Sequence, residues 1–156
     1  MKVGEVMSRG VETVDIGASV AEAAKVMKLF NVGIVPVMAG SRVVGVVTDR
    51  DLAIRVLADP AGARWTPVVR AMSDPYVSIG EDRELEDAID MMSVEGVSRL
   101  VVLDLEGKPA GILSVSDIAI QSPSDRIFDL HRALGARYRD RHVQSAAHQH
   151  SHRRPD

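Results

Sequence analysis

Hydrophobic residues recur with the spacing of an amphipathic helix at two places in the chain, 65 positions apart. Within each, apolar residues stand at positions i, i+3, i+4 and i+7, which predicts a helix with one buried face. Two short apolar runs follow each helix, and a shorter run precedes it. The predicted strands are 11–15, 34–38 and 43–47, then 76–79, 100–103 and 110–113; the apolar helix positions are Val20, Ala23, Ala24 and Met27, then Leu85, Ala88, Ile89 and Met92.

The chain contains one structural unit written twice. Val6-Met7-Ser8 recurs as Ala71-Met72-Ser73, and the stretch 45–51 corresponds to 111–117 after one extra residue in the second copy. A closing helix begins near Asp49 in one copy and Val115 in the other, so each copy has the order β-α-β-β-α. The repeats span 3–58 and 68–122, and the Pro- and Gly-containing stretch 59–67 is predicted to be a linker.

This order predicts a mixed α/β (α+β) fold. A three-stranded sheet covered by helices on one side is too small to be stable alone, so the two units are expected to pack sheet against sheet as one body. A further helix is predicted over 123–139, with Ile127, Leu130 and Leu134 on one face and Ser124-Asp125 near its start. The polar stretch 140–156 has no periodicity and is predicted to be disordered.

Composition excludes several classes of function. Of 156 residues, 46% are hydrophobic and 3% aromatic, and there is no cysteine. This excludes disulfides, cysteine nucleophiles and thiolate metal sites. No apolar run approaches the roughly 20 residues of a membrane span, and no signal peptide is evident, so a cytoplasmic protein without membrane contact is expected.

Charge and histidine are concentrated in the C-terminal segment. From Pro123 onward there are seven Arg and four Asp, whereas the rest of the chain is net acidic, which argues against nucleic-acid binding by the main body. All five His lie in this segment, away from any catalytic set, so no enzyme activity and no metal site are predicted. His148-x-His150-x-His152 and Arg153-Arg154 leave weak metal or phosphate contact by the tail as an alternative to a solvated tail.

Two polar motifs stand where an apolar strand gives way to a helix. Thr48-x-x-Asp51 and Ser114-x-x-Asp117 fit a capping box, in which the hydroxyl accepts a hydrogen bond from an early N–H group and the acid reaches back. Such a junction also suits an anion, because N–H groups and the helix dipole point outward. A carboxylate there can accept two hydrogen bonds from a ribose diol, and capping does not exclude this role.

The doubled unit, its Val-Met-Ser and Ala-Met-Ser openings, and the closing Gly-x-x-[Thr/Ser]-x-x-Asp resemble a tandem pair of CBS domains, a Bateman module. The resemblance covers 3–122 and implies a sensor of adenosine-containing ligands. It implies that Asp51 and Asp117 hold ribose, with Thr48 and Ser114 holding ribose or phosphate. Gly45 and Gly111 would leave room where the strands pass close to the partner repeat.

The resemblance implies that the two clefts differ. Ser98-Arg99 before a strand and Ser114-x-Ser116-Asp117 after it resemble the nucleotide-binding regulatory subunit of AMP-activated kinase, with Ser98 in place of the usual His. Arg99 would bind phosphate and could serve either cleft; the alternative is a surface arginine paired with an acid. In the first copy, Ile34 aligns with Arg99, and Arg50 aligns with Ser116. The positions where the family cradles adenine, which otherwise would be core, are Thr13, Val14, Ser78 and Ile79, helped by Ile34 and Pro36.

The sequence therefore predicts a non-catalytic sensor of adenine nucleotides, AMP or ATP above all, with no other cofactor. It is expected to form a homodimer through the apolar helix faces and to act on an unknown protein target. The cleft served by Asp117 is expected to be the tighter, because Arg99 and Ser116 belong to the same copy. A ligand-free interaction module, or a sensor of S-adenosylmethionine, NAD(H) or a cyclic dinucleotide, remains as an alternative.

Overall fold

The computed structural model describes residues 1–59, 64–121 and 126–137. The order of elements in both copies follows the sequence prediction, with a short helix added before each. The first copy comprises α1 (Val3–Val6), β1 (Ser8–Arg9), β2 (Val14–Asp15), α2 (Val20–Phe30), β3 (Ile34–Ala39), β4 (Arg42–Thr48) and α3 (Asp49–Asp51), which continues as a π-helix over Leu52–Leu57. The second comprises a 3₁₀ helix (Val68–Arg70), β5 (Ser78–Gly80), α4 (Leu85–Glu95), β6 (Arg99–Leu103), β7 (Pro109–Ser114) and α5 (Val115–Gln121), and α6 covers 126–137.

Local signals define the ends of the first long helix. The N–H group of Glu22 donates to Ser19 Oγ at 3.3 Å, and the N–H group of Ser19 donates to Glu22 Oε2 at 2.8 Å, so the predicted capping box is present. Hydrogen bonds donated by the N–H group and the hydroxyl of Ser19 hold the pKa of the Glu22 carboxyl below its usual value. The helix ends at Asn31, whose φ of 53° lies in the left-handed region that stops a helix.

The strands form two small sheets, which confirms the mixed α/β fold class. The first sheet has the order β2-β3-β4, with β2 parallel and β4 antiparallel to β3. The second has the order β1-β7-β6-β5, with the same pairing directions among β5, β6 and β7. Its fourth strand, β1, comes from the first copy, so the second sheet is completed by the other repeat.

The two copies exchange their opening segments. Val3 and Val6 of α1 are buried in the hydrophobic core of the second copy, and Val68 and Ala71 are buried in the core of the first. The exchange is repeated in the backbone, since Ser8 pairs with Ile112 and Ser73 forms an isolated bridge with Val46. The repeats are therefore interlocked, although the sequence alone assigned each opening segment to its own unit.

Glycine makes this close crossing possible in both copies. A Cβ added at Gly45 would lie 2.8 Å from Met72 Sδ and 2.9 Å from the carbonyl oxygen of Ser73. At Gly111 it would lie 2.6 Å from the carbonyl oxygen of Ser8. These separations are too short for any side chain, so both glycines leave room for the other repeat, as the sequence predicted.

Each sheet is also buried on the face opposite its helices. In β6, Leu100 and Val102 belong to the core beneath the helices, whereas Val101 faces the opposite way and is still only 1% exposed. In β3, Val35 lies in the helix-facing core, and Ile34 is buried on the other face. Burial on both faces fits the expected packing of sheet against sheet.

Helix α6 covers the helical face of the second copy. Ile127 and Leu130 are buried in that core, and Leu134 packs against it. Arg126 also forms an ion pair with Asp90 of α4. The predicted capping residues Ser124 and Asp125, and the tail predicted over 140–156, lie outside the described residues.

The apolar faces expected to support a dimer are largely buried within the chain itself. Leu85, Ile89 and Met92 are at most 7% exposed, because α1, α5 and α6 complete the core around them. These side chains are therefore covered within the chain itself and leave little apolar surface for a partner; the homodimer stays a prediction. In the first copy Val20 and Met27 are also buried, while Ala24 is exposed. In the described part of the chain, no helix has the length and apolar character needed to cross a membrane.

Two clefts between the repeats

The larger cleft, here called the Asp51 cleft, has a volume of about 350 Å³. Its first wall is the end of β4 and the start of α3, which carry Thr48 and Asp51. Its second wall comes from the other repeat, and consists of the segment before β5 and the segment that leads into β6. Its lining residues from the second copy are Ser73, Pro75, Tyr76, Val77, Gly96, Val97, Ser98, Arg99 and Val101.

The smaller cleft, here called the Asp117 cleft, has a volume of about 250 Å³. It is the pseudo-symmetric counterpart, built from the end of β7 and start of α5 together with two segments of the first copy. Ser114 and Asp117 stand where Thr48 and Asp51 stand in the other. Its lining residues from the first copy are 8–12 and 31–34, and Arg99 and Ile112 complete it.

Thr48 and Asp51 form the predicted capping box. Asp51 Oδ2 accepts hydrogen bonds from the N–H group of Thr48 at 2.9 Å and from Thr48 Oγ1 at 2.8 Å. In return, the N–H group of Asp51 donates to Thr48 Oγ1 at 3.1 Å. Oδ2 is thus occupied within the capping box, whereas Oδ1 lies 3.7 Å from Arg55 Nε.

The second motif repeats this arrangement. Asp117 Oδ2 accepts from the N–H group of Ser114 at 2.8 Å and from Ser114 Oγ at 2.6 Å. Asp117 Oδ1 accepts from Ser8 Oγ at 3.4 Å, a long contact that crosses to the other repeat. In both motifs the cap fixes the rotamer of the aspartate and leaves the second carboxylate oxygen with weak partners or distant ones, so capping and ligand binding are compatible.

Arg99 lines both clefts. It is exposed at the start of β6, and within 1–59, 64–121 and 126–137 no hydrogen bond or ion pair engages its guanidinium. The alternative of a surface arginine paired with an acid is therefore not seen in this part of the chain. Gly33 lies beside it, because a Cβ there would be 3.7 Å from Arg99 Nη2 and 3.1 Å from Asp49 Oδ2.

The remaining polar residues divide between the clefts unevenly. Ser98 and Arg50 line the Asp51 cleft, whereas Ser116 is exposed and lines neither cleft. Arg99 is shared, so it does not favour the Asp117 cleft in the way that the sequence argument assumed. Arg99 and Ser116 therefore do not distinguish the two clefts, and the expected order of affinities stays a prediction.

Apart from Ile34, the residues assigned to the adenine base do not line either cleft. Val14 and Ile79 are 7% and 5% exposed and belong to the two cores. Thr13, Pro36 and Ser78 also lie outside the lining of the clefts, whereas Ile34 lines both. The strands begin later than predicted, at Val14 and Ser78, so Val14, Ser78 and Ile79 belong to strands and Thr13 directly precedes one.

The segments just before those strands line the clefts instead. Val11 and Glu12 line the Asp117 cleft, and Tyr76 and Val77, their aligned counterparts, line the Asp51 cleft. Tyr76 also donates from its hydroxyl to the carbonyl oxygen of Val43 at 3.4 Å, which ties this segment to the first copy. The sequence signal that could have identified each cleft-lining segment is the turn residue before it, Gly10 with a φ of 76° in one copy and Pro75 in the other.

No metal centre is seen in the described residues. Among them, no group of three or more His, Asp or Glu side chains is arranged to hold a metal ion. The histidines at 148, 150 and 152, and Arg153-Arg154, lie outside the described residues.

The fold and its clefts define a binding module made of two interlocked repeats, with one polar cleft on each side of a shared arginine. A model of the CBS domain family matches residues 3–58 and 68–122. The protein therefore belongs to the CBS domain family and contains a tandem pair of these domains.

Known relatives show the same organisation. The chain is 35% identical over 123 residues to the CBS domain-containing protein YhcV of Bacillus subtilis, covering 79% of this chain and 86% of the relative. The CBS domain pair of protein MJ0100, solved with 5′-methylthioadenosine and S-adenosyl-L-methionine, has a TM-score of 0.69 at 24% identity, covering 77% of this chain and 94% of that one. The cytosolic domain of the Mg²⁺ channel MgtE, solved with ATP, has a TM-score of 0.66 at 23% identity, covering 76% and 48%.

Proposed function

We propose that this CBS pair is a non-catalytic regulatory module that binds AMP, ADP or ATP between its repeats and signals to a partner protein. The observation that carries the proposal is the presence, in one cleft, of the uncommitted guanidinium of Arg99 and the capped carboxylate of Asp51. A guanidinium binds phosphate oxygens in a bidentate manner, and a carboxylate accepts from a ribose diol. A nucleotide carries both a phosphate and a ribose diol.

The lining of the Asp51 cleft supports one orientation of such a ligand. Asp51 Oδ1 and Thr48 would receive the ribose, and Arg99 with Ser98 would receive the phosphate. The base would then lie against the apolar part of the lining. That part includes Val46, Tyr76, Val77 and Val101.

The Asp117 cleft offers a similar set. Ser114 and Asp117 take the place of Thr48 and Asp51, and Arg99 again borders the cleft. Val11 and Ile112 supply apolar surface for a base. We therefore assign a nucleotide to each cleft.

Relatives of the same fold support an adenosine compound as the ligand. The MJ0100 pair carries 5′-methylthioadenosine and S-adenosyl-L-methionine, and the MgtE domain carries ATP. Arg99 favours a ligand with phosphate over S-adenosylmethionine, which has none. NAD(H) and cyclic dinucleotides also bear phosphate. They are larger than AMP, ADP and ATP, and separate titration of each compound distinguishes them.

The proposal is tested by isothermal titration calorimetry with adenosine, AMP, ADP, ATP, NAD⁺, a cyclic dinucleotide and S-adenosylmethionine. Arg99→Met keeps an unbranched side chain similar in length to the aliphatic part of arginine and removes the charge. It should weaken AMP binding roughly 10- to 150-fold, the loss of about 1.5–3 kcal/mol for hydrogen bonds to a charged group, and leave adenosine unchanged. Absence of binding by every compound would instead support a ligand-free interaction module.

We also propose a homodimer, formed through the first copy alone. A groove of about 390 Å³ lies between α2 and the π-helix, lined mainly by apolar residues that include Val20, Ala24, Leu52 and Val56. Leu57 at its edge is 84% exposed. The equivalent face of the second copy is closed by α6, so a second chain would meet this groove.

A matched pair of substitutions tests the dimer. Leu57→Asp places a charge in the groove, and Leu105→Asp places one at a leucine that is also 84% exposed but lies far from it in the turn after β6. Analytical ultracentrifugation at micromolar concentration should show a dimer for wild type and Leu105→Asp, and a monomer for Leu57→Asp. Equal behaviour of the two variants would contradict the assignment of the groove.

A further inference from the structure

We propose that Arg99 couples the two clefts, so that a phosphate-bearing ligand bound in one weakens binding of a second in the other. The inference rests on the proposed nucleotide function and adds a regulatory property to it. The observation behind it is that a single guanidinium borders both clefts.

In the described part of the chain, Arg50 lines only the Asp51 cleft and Arg9 only the Asp117 cleft, whereas Arg99 borders both. The pseudo-symmetry of the repeats shows why. Ile34 begins β3 as Arg99 begins β6, and these two residues line both clefts. They face each other across the junction, where a perfectly repeated sequence would place two cations. The isoleucine is 8% exposed and supplies no hydrogen-bond donor.

One guanidinium shared between two anions produces unequal affinities. The first phosphate takes the fork of N–H donors in its preferred geometry, because bidentate pairing fixes the plane of the group. A second phosphate must then approach a cation already neutralised and an anion of its own sign. The second step should be roughly 10- to 100-fold weaker, the range for losing a charge-assisted hydrogen bond. Adenosine, without phosphate, should fill the clefts without this penalty.

Calorimetry of the full chain with AMP and with adenosine, at one salt concentration, tests the coupling. The expected result is two AMP steps per chain that differ by 10- to 100-fold and two adenosine steps that differ far less. Arg99→Met should bring the two AMP steps together by weakening the first. Ile34→Arg should bring them together by strengthening the second, and Ile34→Met controls for the change in shape.

Each outcome bears on a distinct claim. Equal AMP steps in the wild-type chain would overturn the coupling, as would adenosine steps as unequal as those of AMP. Failure of both ligands to bind would refute the nucleotide function itself. Ile34 is buried, so thermal unfolding must show that its variants fold; if they do not, the Arg99→Met result alone decides, and persistence of unequal AMP steps there would overturn the proposal.

Discussion

The capping role of Asp51 and its proposed role in holding ribose can be separated by the choice of substitution. Its Oδ2 accepts two hydrogen bonds within the capping box, and its Oδ1 is the oxygen proposed to receive the ribose diol. Alanine removes both oxygens. Asparagine can keep its carbonyl oxygen in the cap and present an NH₂ group in place of Oδ1, which donates where an acceptor is needed.

The expected magnitudes follow from these contacts. Asp51→Ala should lower the free energy of unfolding by about 0.5–2 kcal/mol, the usual cost of losing a helix cap. Asp51→Asn should cost less, because only the charge of the acceptor is lost. Both variants should weaken adenosine binding at one site by roughly 10- to 150-fold, since hydrogen bonds to a carboxylate contribute about 1.5–3 kcal/mol.

Urea unfolding and calorimetry with adenosine measure the two effects independently. Glu22→Ala is the matched control, because Glu22 closes the same kind of capping box on α2 but lines neither cleft. It should lose stability and retain the affinity for adenosine. If Asp51→Asn binds adenosine as well as the wild-type chain does, Asp51 is only a helix cap and the ribose assignment is refuted.

Three further predictions concern stability. Gly45→Ala should cost about 1–3 kcal/mol by crowding Met72 and Ser73, whereas Gly135→Ala, in open space on α6, should stabilise by about 0.5–1 kcal/mol in the same urea assay. Leu130→Ala should cost about 2–5 kcal/mol if α6 is part of the second core, and a near-zero loss would show that it is not. The hydrogen bond from Lys2 lowers the pKa of Glu84, so its stabilising effect should be present above the usual value of 4.5 and be lost as the pH falls through the lower folded value. Thermal unfolding against pH should therefore show a smaller acid loss in Glu84→Gln than in wild type.

Local patterns predicted most of the architecture. The helical spacing at 20–27 and 85–92, and the capping boxes, depend on neighbours within one turn of chain. Gly45 and Gly111 could be interpreted because the repeat placed both at the same point. These features need no knowledge of distant contacts, and the structure has them where the sequence indicated.

Distant contacts account for what the sequence could not supply. Val3 and Val6 look like the opening of the first repeat, but they are buried in the core of the second. Likewise, nothing local distinguishes Val14-Asp15 as strand from Val11-Glu12 as cleft lining. That distinction depends on where β2 first pairs with β3, at Val14 and Val37.

Helix α6 lies next to a segment that lines the Asp51 cleft. Gly96 ends α4 in the left-handed conformation and lines this cleft, and a Cβ there would lie 2.7 Å from Arg137 Nη1 near the end of α6. A nucleotide that contacts 96–99 would therefore press on a segment with no free space toward α6. Because a ligand shifts a conformational equilibrium only through contacts that differ between states, the effect requires this packing.

Hydrogen–deuterium exchange over 126–137 provides the test. Saturating AMP should change exchange in α6 of the wild-type chain, and the change should be much smaller in Arg137→Ala, which removes the guanidinium beside Gly96. Arg132→Ala is a suitable control, because Arg132 pairs only with Asp129 of the same helix among the described residues. An equal response in all three proteins would mean that the signal leaves the Asp51 cleft by another route.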